Sequence, residues 1–154
     1  MRNNINSSIR VILIIACSIL FSCTTTQQMQ LKSNDAEVYN NRGFAYCQIG
    51  QYDQAISDFS KAIEINPRLA HAYNNRGWAY IKKWQYDQAV SDFNKTIEID
   101  PGFVEAYFNR AIVYFLVEEY DKSLLDVIKA QQLGFQIPLK SLDDLRKAAG
   151  ATNV

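Results

Sequence analysis

The amino-acid sequence predicts an all-α fold in which helix–turn–helix units stack side by side. The first reason is internal repetition: residues 36–69 and 70–103 are identical at 21 of 34 aligned positions, and residues 104–137 share 9 of 34 with the second copy. The second reason is the period, because 34 residues is the length of one stacking unit of two helices. Residues that recur in every copy are expected to build the scaffold. Residues that differ between the copies are therefore the candidates for a specific function.

Residues 1–22 are predicted to be an export signal. Two arginines and no acidic residue precede an apolar run over residues 11–21, which is too short for a bilayer span of about 20 residues. A positively charged start followed by a short apolar run is typical of an export signal. The run ends in Leu20, Phe21, Ser22 and Cys23, which resembles the lipobox of bacterial lipoproteins. The resemblance implies that Cys23 is lipid-modified and becomes the first residue of the mature chain.

An alternative lipobox ends at Cys17. It would leave an apolar core of about six residues, below the usual range of about 7–15, so Cys23 is favoured. An uncleaved anchor or an ordinary secretory signal is the remaining alternative. Thr24 follows Cys23, and in the lipoproteins that it resembles, the absence of aspartate there is compatible with transfer to an outer membrane. The expected location is a bacterial cell envelope, on the periplasmic side of the outer membrane or the extracytoplasmic face of the inner membrane.

The chain beyond the signal divides into four parts. Residues 23–34 are polar and are predicted to be a flexible tether, and residues 35–137 hold the three repeats (36–69, 70–103 and 104–137). Residues 138–149 are predicted to form a capping helix, because Leu139, Leu142 and Leu145 fall on one helical stripe. Residues 150–154 form a short tail.

Six positions recur in register through the three copies. They are Tyr39, Tyr73 and Tyr107 at position 4, Gly43, Gly77 and Ala111 at position 8, Tyr46, Tyr80 and Tyr114 at position 11, Ala55, Ala89 and Ser123 at position 20, Phe59, Phe93 and Val127 at position 24, and Ala62, Thr96 and Ala130 at position 27. This pattern resembles the tetratricopeptide repeat, in which the small residues let helices A and B of one unit approach closely. The resemblance implies a right-handed superhelical stack whose A helices line a concave, protein-binding groove.

One recurring pair of positions departs from the usual pattern of that family. Position 7, commonly leucine, is Arg42, Arg76 and Arg110, and position 23 is Asp58, Asp92 and Asp126. A partly buried guanidinium without a carboxylate partner is costly. Each arginine is therefore expected to pair with one of these aspartates, within a repeat or across a repeat boundary.

The groove positions of the family predict a partner-binding surface. They differ between the copies in this chain, so that the groove would be polar at one end and apolar at the other. Exposed apolar patches usually mark contacts, and a peptide or an amphipathic helix is expected to bind there. The alternative is that the capping helix or a second copy of the chain covers the face of the third repeat. The candidate residues are Asn40, Phe44 and Cys47 from the first copy, His71, Asn74, Trp78, Ile81 and Lys82 from the second, and Glu105, Phe108, Ile112 and Phe115 from the third.

Chaperone-binding members of the family hold a C-terminal carboxylate with basic residues at defined groove positions. Asn75 matches that clamp. Lysines are expected where Asn40 and Glu105 stand, an arginine is expected where Asn109 stands, and Phe44 replaces an asparagine. Binding of that kind is therefore not expected.

Catalysis, metal or cofactor binding and nucleic-acid binding are not expected. The one histidine of the sequence, His71, has no cysteine near it that could complete a metal site. Loss of residues 1–22 removes two of 16 basic residues and leaves 14 against 16 acidic ones, a net charge of −2 without a basic run. The expected function is that of a membrane-anchored adaptor or scaffold that binds an unidentified protein or peptide. The alternatives are a self-associating structural protein of the envelope, and a small enzyme or ligand-binding protein that uses His71.

Overall fold

The computed structural model describes residues 35–136, Lys147 and Gly150. Within residues 35–136 the chain forms helices and turns only. The predicted signal segment and tether (1–34), with Cys17 and Cys23, lie outside the described residues, as do the predicted capping helix and tail apart from Lys147 and Gly150. The helices are α1 (35–48), α2 (Tyr52–Ile65), α3 (Ala70–Lys82), α4 (Tyr86–Ile99), α5 (Val104–Leu116) and α6 (Tyr120–Gln132).

The six helices make three A–B pairs that stack in chain order, so the predicted all-α superhelical stack is confirmed. Helices α1, α3 and α5 are the A helices, and α2, α4 and α6 are the B helices. Helix α3 packs against α4 of its own pair, against α2 of the pair before it, and against α5 of the pair after it. None of the helices within the described residues is long and apolar enough to cross a bilayer.

Close contact between a glycine and a phenylalanine fixes the spacing of the helices in the first two pairs. A Cβ at Gly43 would lie 2.7 Å from Cε1 of Phe59, a distance that real side chains do not reach. The Phe59 ring is fully buried between the two helices. Here the absence of a side chain at position 8 allows the large ring at position 24, as the sequence predicts.

The predicted ion pair between positions 7 and 23 is confirmed in all three repeats. In each repeat the arginine Nε and Nη2 donate to the two carboxylate oxygens of the aspartate, and the pair joins helix A to helix B of the same unit. This two-point geometry is the strongest form of a guanidinium–carboxylate contact. The pairs are Arg42 with Asp58 (2.5 and 2.7 Å), Arg76 with Asp92 (2.8 and 2.8 Å) and Arg110 with Asp126 (2.7 and 2.7 Å).

The second and third of these arginines also join neighbouring repeats. Arg76 donates from Nη1 to Oγ of Ser60 in the preceding B helix at 2.9 Å, and Arg110 donates in the same way to Oδ1 of Asn94. No described repeat precedes the first one, and the Arg42 side chain is 55% exposed, against 19% for Arg76. The arginine at position 7 is therefore both an intra-repeat and an inter-repeat link.

Two tyrosines flank the guanidinium in the second and third repeats. The guanidinium carbon of Arg110 lies 5.7 Å from the centre of the Tyr107 ring and 5.9 Å from that of Tyr114, within the range of a cation–π contact. The hydrogen bonds that Arg110 donates to Asp126 raise the pKa of the guanidinium and outweigh the opposing effect of burial. The tyrosines at positions 4 and 11 thus enclose an ion pair as well as contributing apolar surface.

The turn between helices A and B takes a left-handed backbone residue at position 15 of every repeat. Gly50 has a φ of 75°, and Trp84 and Glu118 both have a φ of 62°. Glycine adopts this conformation without strain, whereas residues with a side chain do so at a cost. The second and third repeats therefore keep a strained residue where the first has glycine.

Candidate binding groove

A ladder of asparagine side chains joins the A helices along the concave face. Asn75 donates from Nδ2 to Oδ1 of Asn40 at 3.0 Å, and Asn109 donates from Nδ2 to Oδ1 of Asn74 at 3.1 Å. Asn40 and Asn74 are only 6% and 9% exposed. The sequence places both on the open groove surface, but the structure buries them because each accepts a hydrogen bond from the next repeat.

Between α1 and α3 the concave face opens into a cavity of about 260 Å³, which we name the aromatic cavity. Phe44 stands at its rim with half of its surface exposed. The Trp78 ring packs edge-on against Tyr52, with centroids 6.1 Å apart, and the Lys82 ammonium lies 4.7 Å from the centre of the Trp78 ring. The cavity is lined by Phe44, Cys47, Gln48, Phe59, Asn74, Asn75 and Trp78.

Cys47 contributes a wall of the aromatic cavity rather than an exposed groove residue. It is 7% exposed and packs in the core with Ala55, Phe59 and Ala79. Burial raises the pKa of its thiol to about 11. The sulfur is therefore protonated at neutral pH and acts as a small apolar group, since the thiolate is the reactive form.

A second cavity of about 350 Å³ lies at the boundary of the second and third repeats, and we name it the acidic cavity. Asp100 and Glu105 provide its carboxylates. His71 also lines the cavity, and its ring lies edge-on to Phe103 with the ring centroids 4.9 Å apart. Asn74 lines this cavity as well as the aromatic cavity, so the two adjoin. Among the described residues no group of three or more His, Cys, Asp or Glu side chains is arranged to hold a metal ion.

The remaining predicted groove residues lie apart from the two cavities. Ile112 and Phe115 of the third repeat are 37% and 48% exposed and keep the apolar character that the sequence predicts. Phe108 instead packs against Phe135, with ring centroids 4.5 Å apart. Ile81 is partly buried against the core of the second repeat. The structure thus brings Phe44, Cys47, Asn74 and Trp78 together in the aromatic cavity, and His71, Asn74 and Glu105 together in the acidic cavity.

The residues that sequence reasoning missed lie mostly in the turn between α4 and α5. Asp100, Gly102, Phe103 and Val104 line the acidic cavity, yet none of them occupies a groove position of helix A. The sequence does mark this turn as different, because residues 100–103 differ at three of four places from the corresponding residues 66–69 of the first repeat. In the aromatic cavity, Gln48 holds a groove position of helix A and Asn75 a groove-edge position, so Phe59 is the lining residue that the sequence assigned to the core alone.

Solved structures with the same architecture are domains built from the same type of repeat. The Arabidopsis OM64 TPR domain superposes with a TM-score of 0.72 at 28% identity, covering 75% of this chain and 98% of that one. The first TPR domain of Spaghetti (RPAP3), bound to the HSP90 peptide SRMEEVD, gives 0.70 at 25% identity, covering 77% and 94%. The TPR2B domain of yeast Sti1, in its pHsp70 complex, gives 0.66 at 27% identity, covering 78% and 97%.

The sequence comparison agrees with the structural one. No curated protein sequence matches the chain. Family models described as tetratricopeptide repeat match residues 36–69 and 70–103, and a further one matches residues 93–125. Together they span residues 36–125, more than half of the 154 residues. The chain therefore belongs to the tetratricopeptide repeat family.

Proposed function

We propose that this protein is an adaptor that binds a segment of another protein on its concave face. The observation that carries the proposal is the aromatic cavity, which is open to solvent between Phe44 and Trp78 and has amide groups at its margin. Cavities that combine apolar walls with a few polar groups are typical binding sites. Its volume of about 260 Å³ suits one large apolar side chain of a partner.

The asparagine ladder supports an extended peptide as the ligand. Asn75 donates from Nδ2 in the ladder, so its Oδ1 is available to accept a hydrogen bond from a ligand. Asn74 accepts through Oδ1 in the ladder, so its Nδ2 is available to donate one. Both side chains line the aromatic cavity. An extended backbone presents N–H donors and carbonyl acceptors, so one amide oxygen and one amide nitrogen are suitable partners for it.

The ligand is proposed to differ from the peptides in two of the solved relatives. Those domains are in complexes with HSP90 and pHsp70 peptides. At the positions where the carboxylate clamp needs basic side chains, this chain has Asn40, Glu105 and Asn109. Asn40 and Asn109 are also engaged in the ladder. An acidic C-terminal tail would meet no cation at these places.

We further propose that the adaptor is anchored to a membrane of a bacterial cell envelope through a lipid on Cys23. The sequence supports this through the charged start, the short apolar run and the lipobox-like residues before Cys23. Metabolic labelling with a fatty-acid analogue tests it: Cys23→Ser is expected to abolish labelling and Cys17→Ser to preserve it. Labelling that survives Cys23→Ser would contradict the anchor.

A second candidate function is self-association through the third repeat. Ile112, Phe115 and Leu116 are 37%, 48% and 46% exposed on one face of α5, and apolar clusters of this kind mark contact surfaces. Phe115→Ser would lower the oligomer mass in sedimentation if this face joins copies of the chain. An adaptor would instead remain the same size.

Site-specific photocrosslinking in the native host tests the adaptor proposal. A photoreactive amino acid at Gln48, an exposed residue that lines the aromatic cavity, is expected to form an adduct with a distinct protein. The same group at Leu125, which is 67% exposed on α6 outside both cavities, is the matched control and is expected to give none. Phe44→Ala should abolish the Gln48 adduct. Adducts at Leu125 alone, or a Gln48 adduct unaffected by Phe44→Ala, would contradict the proposal.

A further inference from the structure

We propose that the acidic cavity receives a lysine or arginine side chain of the same bound segment, next to the apolar side chain held in the aromatic cavity. This inference rests on the proposed function and names the ligand class: a peptide with an apolar residue close to a basic one. Such a ligand has the opposite charge to the acidic HSP90 peptide SRMEEVD bound by the RPAP3 domain.

The first observation is a concerted change of charge between two nearly identical repeat boundaries. Asn66 of the first boundary corresponds to Asp100 of the second, and Arg68 corresponds to Gly102. In the helices that follow, His71 corresponds to Glu105. All three replacements make the second boundary more negative, and Asp100, Gly102 and Glu105 line one cavity.

Folding does not require the negative charge at this turn. Oδ1 of Asp100 accepts a hydrogen bond from the Gly102 N–H at 2.9 Å. Oδ1 of Asn66 accepts the equivalent bond from the Arg68 N–H at 3.1 Å. An amide therefore builds the same turn as a carboxylate, and the second oxygen of Asp100 is available to a ligand.

The second, independent observation is Asn74. Its side chain is 9% exposed and lines both the aromatic and the acidic cavity. Oδ1 accepts from Asn109, while Nδ2 has no acceptor among the described residues. No fully buried side-chain nitrogen or oxygen of the described residues lacks a partner, so the unpaired Nδ2 of Asn74 is open to the cavities and within reach of a ligand. Because Asn74 borders both cavities, its amide nitrogen suits a carbonyl of a backbone that passes from one to the other.

The chemistry of the acidic cavity selects a cation on a flexible side chain. Asp100 and Glu105 are exposed at the cavity wall, so water and salt screen their attraction for a ligand. Exposed ion pairs contribute up to about 1 kcal/mol, which corresponds to about fivefold in affinity. The preference for a basic residue is therefore expected to be modest and to fall with ionic strength.

Short fluorescein-labelled peptides and the full-length chain provide the test. The first peptide carries one phenylalanine followed by lysine, prepared with one, two or three residues between them. The second replaces the lysine by glutamine, and the third replaces the phenylalanine by alanine. Dissociation constants from fluorescence anisotropy are compared for the wild type, Asp100→Asn with Glu105→Gln, and the matched control Glu37→Gln, which removes the exposed carboxylate at the corresponding position of the first repeat.

At the best spacing, the wild type is expected to bind the phenylalanine–lysine peptide about fivefold more tightly than the phenylalanine–glutamine peptide. The double variant and about 1 M salt should each remove this preference, and Glu37→Gln should retain it. Equal affinity of the wild type for the two phenylalanine peptides would overturn the inference and leave the proposed function standing. Binding that is unchanged when alanine replaces phenylalanine, or no binding of any peptide, would overturn both.

Discussion

Gly77 and Phe93 touch so closely that no side chain fits between them. A Cβ at Gly77 would lie 2.8 Å from Cε1 and 3.0 Å from Cζ of the Phe93 ring. The third repeat makes the same contact with Ala111 and Val127, both buried. The larger residue on helix A is thus matched by a smaller one on helix B.

Gly77→Ala is expected to lower the free energy of unfolding by about 1–3 kcal/mol, because the added methyl displaces the Phe93 ring from a closely packed core. Phe93→Val alone is expected to cost about 2–4 kcal/mol through the cavity that it leaves. The double variant recreates the Ala111–Val127 contact, and its loss of unfolding free energy should be smaller than the sum of the losses of the two single variants. Chemical denaturation of the four proteins measures this coupling; strictly additive losses would contradict the exchange of volume.

Asp92→Asn is expected to destabilise the fold by about 2–3 kcal/mol, since it leaves the Arg76 guanidinium, 19% exposed, without a counter-charge. Asp58→Asn is the comparison, because its partner Arg42 is 55% exposed and water solvates the unpaired cation. Urea titration of both variants measures the free energy of unfolding, and Asp58→Asn should lower it clearly less than Asp92→Asn does. Equal losses for the two substitutions would show that burial of the arginine does not set the strength of these pairs.

Backbone strain at the A–B turns gives two opposite expectations. Gly50→Ala should lower stability by about 1 kcal/mol, because an L-residue is disfavoured at a φ of 75°. No atom lies within 4 Å of the added Cβ, so the effect reports the backbone alone. Glu118→Gly, at a φ of 62°, should raise stability by up to about 1 kcal/mol. Thermal unfolding of both variants measures the shifts, and a stabilising Gly50→Ala would refute this reading of the turns.

Burial of Cys47 predicts a pH-dependent reactivity. With its thiol pKa raised to about 11 from the ordinary 9.0, the folded chain should alkylate at Cys47 roughly a hundredfold more slowly at pH 8 than the urea-unfolded chain. Mass spectrometry of the Cys47 peptide separates this reaction from any at Cys17 or Cys23. Equal rates in the two states would mean that the thiol is not buried.

The same shift has a consequence for stability. Between pH 9 and 11 the unfolded chain has lost the thiol proton and the folded chain retains it. The unfolded state then binds fewer protons, so the free energy of unfolding falls as the pH rises through this range. The fall should be shallower in Cys47→Ala, which lacks the group.

The repeat frame of the sequence predicts the scaffold well, for a physical reason. Gly43 and Phe59, or Arg76 and Asp92, are separated by a constant 16 residues, so the same contact recurs in every unit. Residues that recur in every copy build the scaffold, so most positions of the repeats carry no information about a specific function. What remains visible in the sequence is the set of residues that break the period. Phe44 and Trp78 belong to this set, and both line the aromatic cavity.

The depth of the groove could not be predicted from the sequence. Burial of Asn40 depends on a hydrogen bond from Asn75, 35 residues further along the chain, and so on the exact rotation of one A helix against the next. The acidic cavity was missed because Asp100 lies in a turn after helix B, whereas the groove positions describe helix A alone. Comparing the two turns residue by residue would have revealed its charge.

Binding of the partner segment identified by the Gln48 crosslink measures the central claim most directly. Its dissociation constant is compared for the wild type, Phe44→Ala and Leu125→Ala, which replace side chains that are 51% and 67% exposed. Phe44→Ala is expected to weaken binding about tenfold or more, as the loss of an aromatic anchor does, and Leu125→Ala is expected to leave it unchanged. Equal affinity of the wild type and Phe44→Ala would contradict a binding site at the aromatic cavity.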